Sequence, residues 1–128
     1  MKANAALGLA VLAGLGVGAI AVQGLRAEAK PPVYLIAEID VTDLDGYVKE
    51  YAQKAQKSLE AFGGRTLAAG QEITTIEGAP PKRRVVVVVW DSLDQIQAWR
   101  NSPQYTEDRK IGDKYATFRI FAIEGLPQ

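Results

Sequence analysis

Arg65 and Arg109 are the side chains of this 128-residue sequence best built to hold an anionic organic group. A guanidinium offers a planar fork of donors that matches a carboxylate or an enolate through two parallel bonds. Glu38 sits in an apolar stretch, and a carboxylate deprived of water is a stronger base, which makes it the candidate for proton abstraction. Asp40, Glu77 and Arg119 are the other charged candidates, and Tyr34, Tyr51, Trp90, Trp99 and Tyr105 are the available aromatic walls. Each has a structural reading beside the chemical one. Arg65 follows Gly63-Gly64 and can satisfy helix-end carbonyls, Glu77 precedes Gly78 and can bond turn amides, and Glu38 can pair with Arg119. Tyr51 recurs at helical spacing from Tyr47, and Trp99 and Tyr105 have equally good places in a core. The ligand-binding candidates retained are Tyr34, Glu38, Arg65, Glu77, Trp90, Arg109 and Arg119.

The chain has neither cysteine nor histidine. That removes disulfides, thiolate nucleophiles, Cys/His zinc sites, haem held through an imidazole, and the side chain that titrates near neutrality. No Asp-x-Asp-x-Asp-Gly calcium loop is present. No catalytic residue can be assigned, and neither a metal nor a cofactor is expected. The 15 basic and 15 acidic residues give zero net charge, and 48% hydrophobic content fits a packed chain rather than a disordered one. That balance leaves no electrostatic footprint for nucleic acid. The run Lys82-Arg83-Arg84 reads as the solvated flank of a strand.

The elements that must position these groups are organised around Arg84-Val85-Val86-Val87-Val88-Val89-Trp90. Five β-branched residues in a row suit a pleated strand, and the unbroken apolar run requires cover on both faces. Before it, Val33, Leu35, Ala37, Ile39 and Val41 alternate with Tyr34, Ile36, Glu38 and Asp40; the first set reads as the helix-covered face. Thr42-Asp43-Leu44-Asp45 predicts a capping box opening a helix whose stripe is Leu44, Tyr47, Val48, Tyr51, Ala55, Leu59 and Phe62, stopped by Gly63-Gly64. Residues 65–69 and 72–77 read as two strand segments about a bend at Gly70, the second pairing with residues 85–88 across a proline turn. Ser92-Leu93-Asp94-Gln95 caps a short helix with Leu93, Ile96 and Trp99 inside, and Ser102-Pro103 starts another. A last strand covers residues 117–124. This order is the split βαβ arrangement of a ferredoxin-like α+β sandwich, an antiparallel sheet with helices on one face.

Residues 3–25 carry no charge, Lys2 and Arg26 flank them, and Ala27-Glu28-Ala29 supplies small residues for cleavage before Lys30. Residues 1–29 therefore read as a signal peptide. The alternative is an uncleaved anchor, for which 23 uncharged residues are long enough. The domain is then periplasmic or secreted, or faces the periplasm from the inner membrane, where that segment is its only membrane contact. Residues 30–32 form a stiff proline linker, and 33–126 is the single folded domain.

Two helices cover one face of such a sheet. The other would carry one phase of the valine run (Val85, Val87 and Val89, or Val86, Val88 and Trp90) with Tyr34 and Ile36. That is a patch of roughly several hundred Å², more than a lone domain leaves wet. At about 25 cal/mol per Å² its burial contributes several kcal/mol before association costs. The economical cover is a second copy, two sheets facing each other as a barrel. A membrane or a partner protein is the competing cover.

Several stretches also carry a family pattern: Tyr34 and its apolar strand, Val41-Thr42-Asp43 before a Tyr-rich helix, Gly63-Gly64-Arg65 with Leu67-Ala68-x-Gly70, and Glu77-Gly78. Arg84 with the valines, Trp99-x-x-Ser102-Pro103-x-Tyr105 and the closing Glu124-Gly125 continue it. Together they resemble the domain-of-unknown-function family numbered 1330, from Val33 to about Leu126. The resemblance implies a dimeric α+β barrel, in a superfamily that includes small oxygenases, haem-degrading enzymes, chlorite-dismutase-like proteins and catalytically silent members. It implies a homodimer with a small-molecule pocket between the sheet and the helices of each subunit, and no particular reaction.

Three functions follow. One is an exported dimeric domain that binds a small organic molecule or plays a structural part. Another is a cofactor-free oxygenase or isomerase acting on a small enolisable or carboxylate substrate through Tyr, Arg and Glu. The third is a membrane-tethered interaction module that keeps its leader. The first is carried forward.

Overall fold

Four strands, β1 (Val33–Val41), β2 (Arg65–Gly70), β3 (Arg84–Trp90) and β4 (Ala116–Glu124), form an antiparallel sheet in the order β2-β3-β1-β4. The computed structural model describes residues 30–127, and the leader expected over residues 1–29 lies outside them. Between β1 and β2 runs a helical segment in three pieces: α1 (Leu44–Tyr47), a π-helical turn (Val48–Ala52) and α2 (Gln53–Ala61). Between β3 and β4 lie α3 (Leu93–Arg100) and α4 (Pro103–Gly112). This is the ferredoxin-like α+β arrangement.

The register of the two central strands decides which side chains meet the helices. Val33 lies opposite Trp90, Leu35 opposite Val88, Ala37 opposite Val86 and Ile39 opposite Arg84. Residues paired directly across a ladder share a face. The buried set Val33, Leu35, Ala37 and Ile39 therefore carries Trp90, Val88, Val86 and Arg84 to the helix side. Val85, Val87 and Val89 point the other way with Tyr34, Ile36 and Glu38. The choice of phase left open by the unbroken valine run is settled by what it pairs with.

On the helix side, Trp90 and Trp99 pack at 5.5 Å between ring centres, and Trp99 and Tyr105 at 4.3 Å. The Trp99 indole donates to Ser58 Oγ at 2.9 Å, and Ser58 donates on to the Ala55 carbonyl at 2.8 Å. Ser58 is fully buried, so this relay ties α3 to α2 where no water competes. Gly64 lies against the Trp90 ring, where a Cβ would come within 2.8 Å. Gly63 closes the helix at φ +100°, a conformation that glycine adopts without penalty.

Several expectations need correction. Asp43, not Thr42, caps the first helix, accepting from the Gly46 amide at 3.0 Å. Thr42 instead spends both its amide and its hydroxyl on the Tyr115 carbonyl, pinning the end of β1 to the entrance of β4. Leu44, Val48 and Leu93 are about half exposed rather than core residues. Tyr47 and Tyr51, expected on the same stripe, are buried. Residues 72–77 form no strand; β2 itself occupies the β3 edge, from Arg65 opposite Val89 to Gly70 opposite Val85. The irregularity in β2 falls between Thr66 and Ala68, not at Gly70. The second capping box has Ser92 accepting from the Gln95 amide, while the Gln95 side chain accepts from the Asp91 amide.

Ser58→Ala should lower stability by about 1–3 kcal/mol in urea unfolding, because it strands the buried Trp99 N–H. An unchanged midpoint would show that the relay does not matter.

Candidate functional site

The helix side of the sheet is not packed solid. A cavity of about 70 Å³ lies between β1, β3 and β4 on one side and the π turn, α2, α3 and α4 on the other. That is roughly half of the ~150 Å³ that lets an engineered apolar cavity take up benzene, so it has room for only a few non-hydrogen atoms. Its walls are largely apolar, among them Leu35, Ala37, Val88 and Phe118, and its polar atoms come from Tyr47, Tyr51, Tyr105, Gln56 and Arg84.

The π turn supplies the inner wall. A helix that widens for one turn carries one residue more than an α-helix would over the same rise, and such turns are common at functional sites. Tyr47, the last residue of α1, and Tyr51, within the turn, lie four apart on the same side with ring centres 5.4 Å apart. Tyr51 stands edge-on to Phe118 at 5.7 Å. Its ring also rests on Gly112 at the end of α4, where a Cβ would come within 2.7 Å. Any larger residue there would push the phenol into the cavity.

The electrostatics of this wall follow from burial. Desolvation raises the pKa of Tyr47, with Arg84 beside it working in the opposite direction. Desolvation also raises that of Tyr51, helped by the neighbouring Tyr105 and Tyr47 and opposed by Arg109. Both phenols therefore stay protonated at neutral pH and act as hydrogen-bond donors. Gln56 is already engaged, donating to Glu60 at 2.8 Å and accepting from Thr66 at 3.1 Å.

Arg84 brings a charge. Its guanidinium carbon lies 5.8 Å from the centre of the Tyr47 ring. Its Nε is buried and has no hydrogen-bond partner, and none of the ion pairs found among the described residues includes it. No carboxylate lines the cavity. Arg109 backs the wall at one remove. It donates to the Tyr105 hydroxyl at 3.0 Å and to Asp113 at 2.8 Å, and lies 3.9 Å over the Phe118 ring. Burial works against its charge, but Asp113 and Tyr105 outweigh that and hold its pKa above the usual guanidinium value.

The residues singled out from the sequence are thus divided. Tyr51, Trp99 and Tyr105 line the cavity, and Arg109 reaches it through Tyr105. Trp90 lies on the same side but is buried against Trp99 and Gly64, outside the lining. Tyr34, Glu38, Arg65 and Arg119 belong to the opposite face, so no Arg65–Glu38 pair converges on the cavity. Asp40, out of phase with the buried residues of β1, is likewise outside the lining. Glu38 instead accepts from Arg119 at 2.7 Å and from the Lys82 amide at 3.4 Å. Glu77 is exposed in the segment joining β2 to β3. Arg84 was overlooked because it ends a basic run. The signal for it was phase: once Trp90 faces inward, the residue six positions earlier does too.

Comparison with known proteins gives a family and a fold. The family described as a domain of unknown function (DUF1330) matches residues 32–126. Among solved structures, a protein of unknown function from Rhodopseudomonas palustris superposes with a TM-score of 0.63 at 15% identity, covering 84% of this chain and 93% of its own. SnoaB, a cofactor-independent oxygenase from Streptomyces nogalater, gives 0.56 at 12% identity, with coverages of 77% and 96%. A candidate antibiotic biosynthesis monooxygenase from Nitrosomonas europaea gives 0.52 at 13%, with coverages of 76% and 92%. No curated protein matches the chain significantly.

The two buried phenols set an alkaline limit. A folded pKa raised above the unfolded value of about 10 contributes stability that is complete below pH 10 and is lost as pH rises through the folded value. Ultraviolet difference titration should show these two tyrosines among those ionising above the ordinary range, with Tyr51→Phe removing one late ionisation. Ionisation of all five tyrosines together near pH 10 in the folded protein would contradict the burial argument.

Proposed function

The chain belongs to the DUF1330 family, and on that footing we propose that it is an exported homodimeric domain that binds a small organic molecule beneath the π-helical turn. The observation that carries this reading is an apolar cavity lined by Arg84, whose Nε is buried without an acceptor, and by protonated phenols. Binding sites combine apolar walls with a few convergent polar groups, whereas a cavity that is only a packing fault has no reason to collect them.

The opposite face supports the pairing. Tyr34 lies between Val89 and Ile123, and Ile36 between Val87 and Phe121, which makes a continuous apolar stripe across three strands. Ile123 is 61% exposed and Phe121 42% in the single chain. Charged residues, Arg65 and the Glu38–Arg119 pair, sit among or beside them. An apolar centre with a polar rim is the composition of an interface. Export rests on the uncharged run at residues 3–25 between Lys2 and Arg26.

A second reading, oxygen chemistry without a cofactor, is favoured by one feature. A cation flanked by neutral donors would stabilise an enolate oxygen. The lining holds no carboxylate or imidazole to create that enolate, so this reading needs a substrate acidic enough to ionise by itself. Binding without catalysis is therefore the better-supported function.

Native mass spectrometry of protein isolated gently from its own host should show a bound small molecule, and Ala55→Leu, which fills the cavity, should abolish it without loss of fold. Apo mass alone in both proteins, with no ligand that perturbs the emission of Trp99, would overturn the reading. Val87→Asp should turn the dimer into a monomer or an aggregate in size-exclusion with light scattering, since it places a charge in an apolar seam. A monomeric unmutated protein would remove the dimer.

A further inference from the structure

We propose that the molecule held in this cavity is a short monocarboxylate, its oxygens received by Arg84 and its hydrocarbon part by Leu35, Ala37 and Val88. The proposal rests on the reading of the cavity as a binding site and adds the chemistry of what it selects.

Charge gives the first argument. Arg84 stands at the start of β3, opposite Ile39, so the strand alternation directs it to the helix side where carboxylates are absent from the lining. Elsewhere among the described residues, Arg109, whose side chain is only 22% exposed, has Asp113 as its acid. Arg84 has an aromatic ring beside it, no ion pair, and a buried Nε with nothing to donate to. A buried donor left without an acceptor is destabilising, and an anion that brings its own two oxygens relieves it.

The neighbouring groups narrow the choice further. Tyr47 and Tyr51 keep their protons, so each hydroxyl has a hydrogen to offer an acceptor-rich group. An organic cation would meet a like charge and would find no anionic partner. A neutral carbonyl offers Arg84 an acceptor but no charge to set against its own, and the bond is the weaker for it. Size then favours a small occupant: about 70 Å³ takes a carboxyl group with a short alkyl chain.

The test compares propionate with propionamide, which has nearly the same shape and no charge, on the full-length protein by calorimetric titration and Trp99 emission. Propionate should bind at least tenfold more tightly than the amide. Arg84→Met should erase that preference, and Arg84→Lys, which keeps the charge but loses the fork, should retain part of it. The lysine variant also guards against a methionine variant that fails to fold. Equal affinity for acid and amide, or preference for the amide, overturns the carboxylate while leaving the binding site in place. Failure of both to bind also overturns it, and the bound mass in protein from the host then decides separately whether the site itself survives.

Discussion

The pairing of β1 with β3 is the constraint on which the rest of this molecule depends. The valine run has no inward or outward preference of its own, since five similar side chains would be equally content with either face. β1 does have one, because its alternate residues are buried and its intervening ones are not. Locking Val33 to Trp90 and Ile39 to Arg84 transfers that preference across the ladder. A slip of one residue would exchange the faces, placing Trp90 and Arg84 on the open side and emptying the centre of the core.

Two consequences on opposite faces share this origin. One phase of β3 brings an indole into a stack of aromatic rings and a guanidinium to the rim of a cavity. The other phase leaves a stripe of valines that no helix among the described residues covers and that is only partly buried. The helices then divide the work on the covered side. α3 contributes Trp99, α4 contributes Tyr105 and Arg109, α1 contributes Tyr47, and the widened turn contributes Tyr51. Ser58 ties α2 to Trp99, and Gly64 lets the Trp90 ring lie close against the backbone.

Much of this architecture was legible in the sequence, and the exceptions have physical causes. Alternation in β1, the Ser102-Pro103 start of α4 and the glycine stop after α2 are local signals, and each appears where it was expected. Residues 72–77 have the composition of a strand, but pairing is decided by which segment reaches the β3 edge, and Arg65–Gly70 arrives first along the chain. The π turn has no signature in residue type, and Leu44 and Val48, which have the spacing of the inner stripe, are about half exposed beside the buried Tyr47 and Tyr51. The candidate site suffered most from this. Glu38, Arg65 and Arg119 are attractive one at a time, yet their phase turns them from the cavity, while Arg84 looked like a solvated flank until the register of β3 was known.

The widened turn has a bearing on how such a domain diverges. A helix with a π turn holds a surplus residue that its neighbours have already accommodated. Deleting that residue would return the segment to an ordinary α-helix and rotate the phenol wall relative to the sheet, with β1, β3 and their register untouched. Relatives can thereby reshape the chamber by a change in length rather than by a set of coordinated substitutions. One scaffold of this kind is open to many occupants.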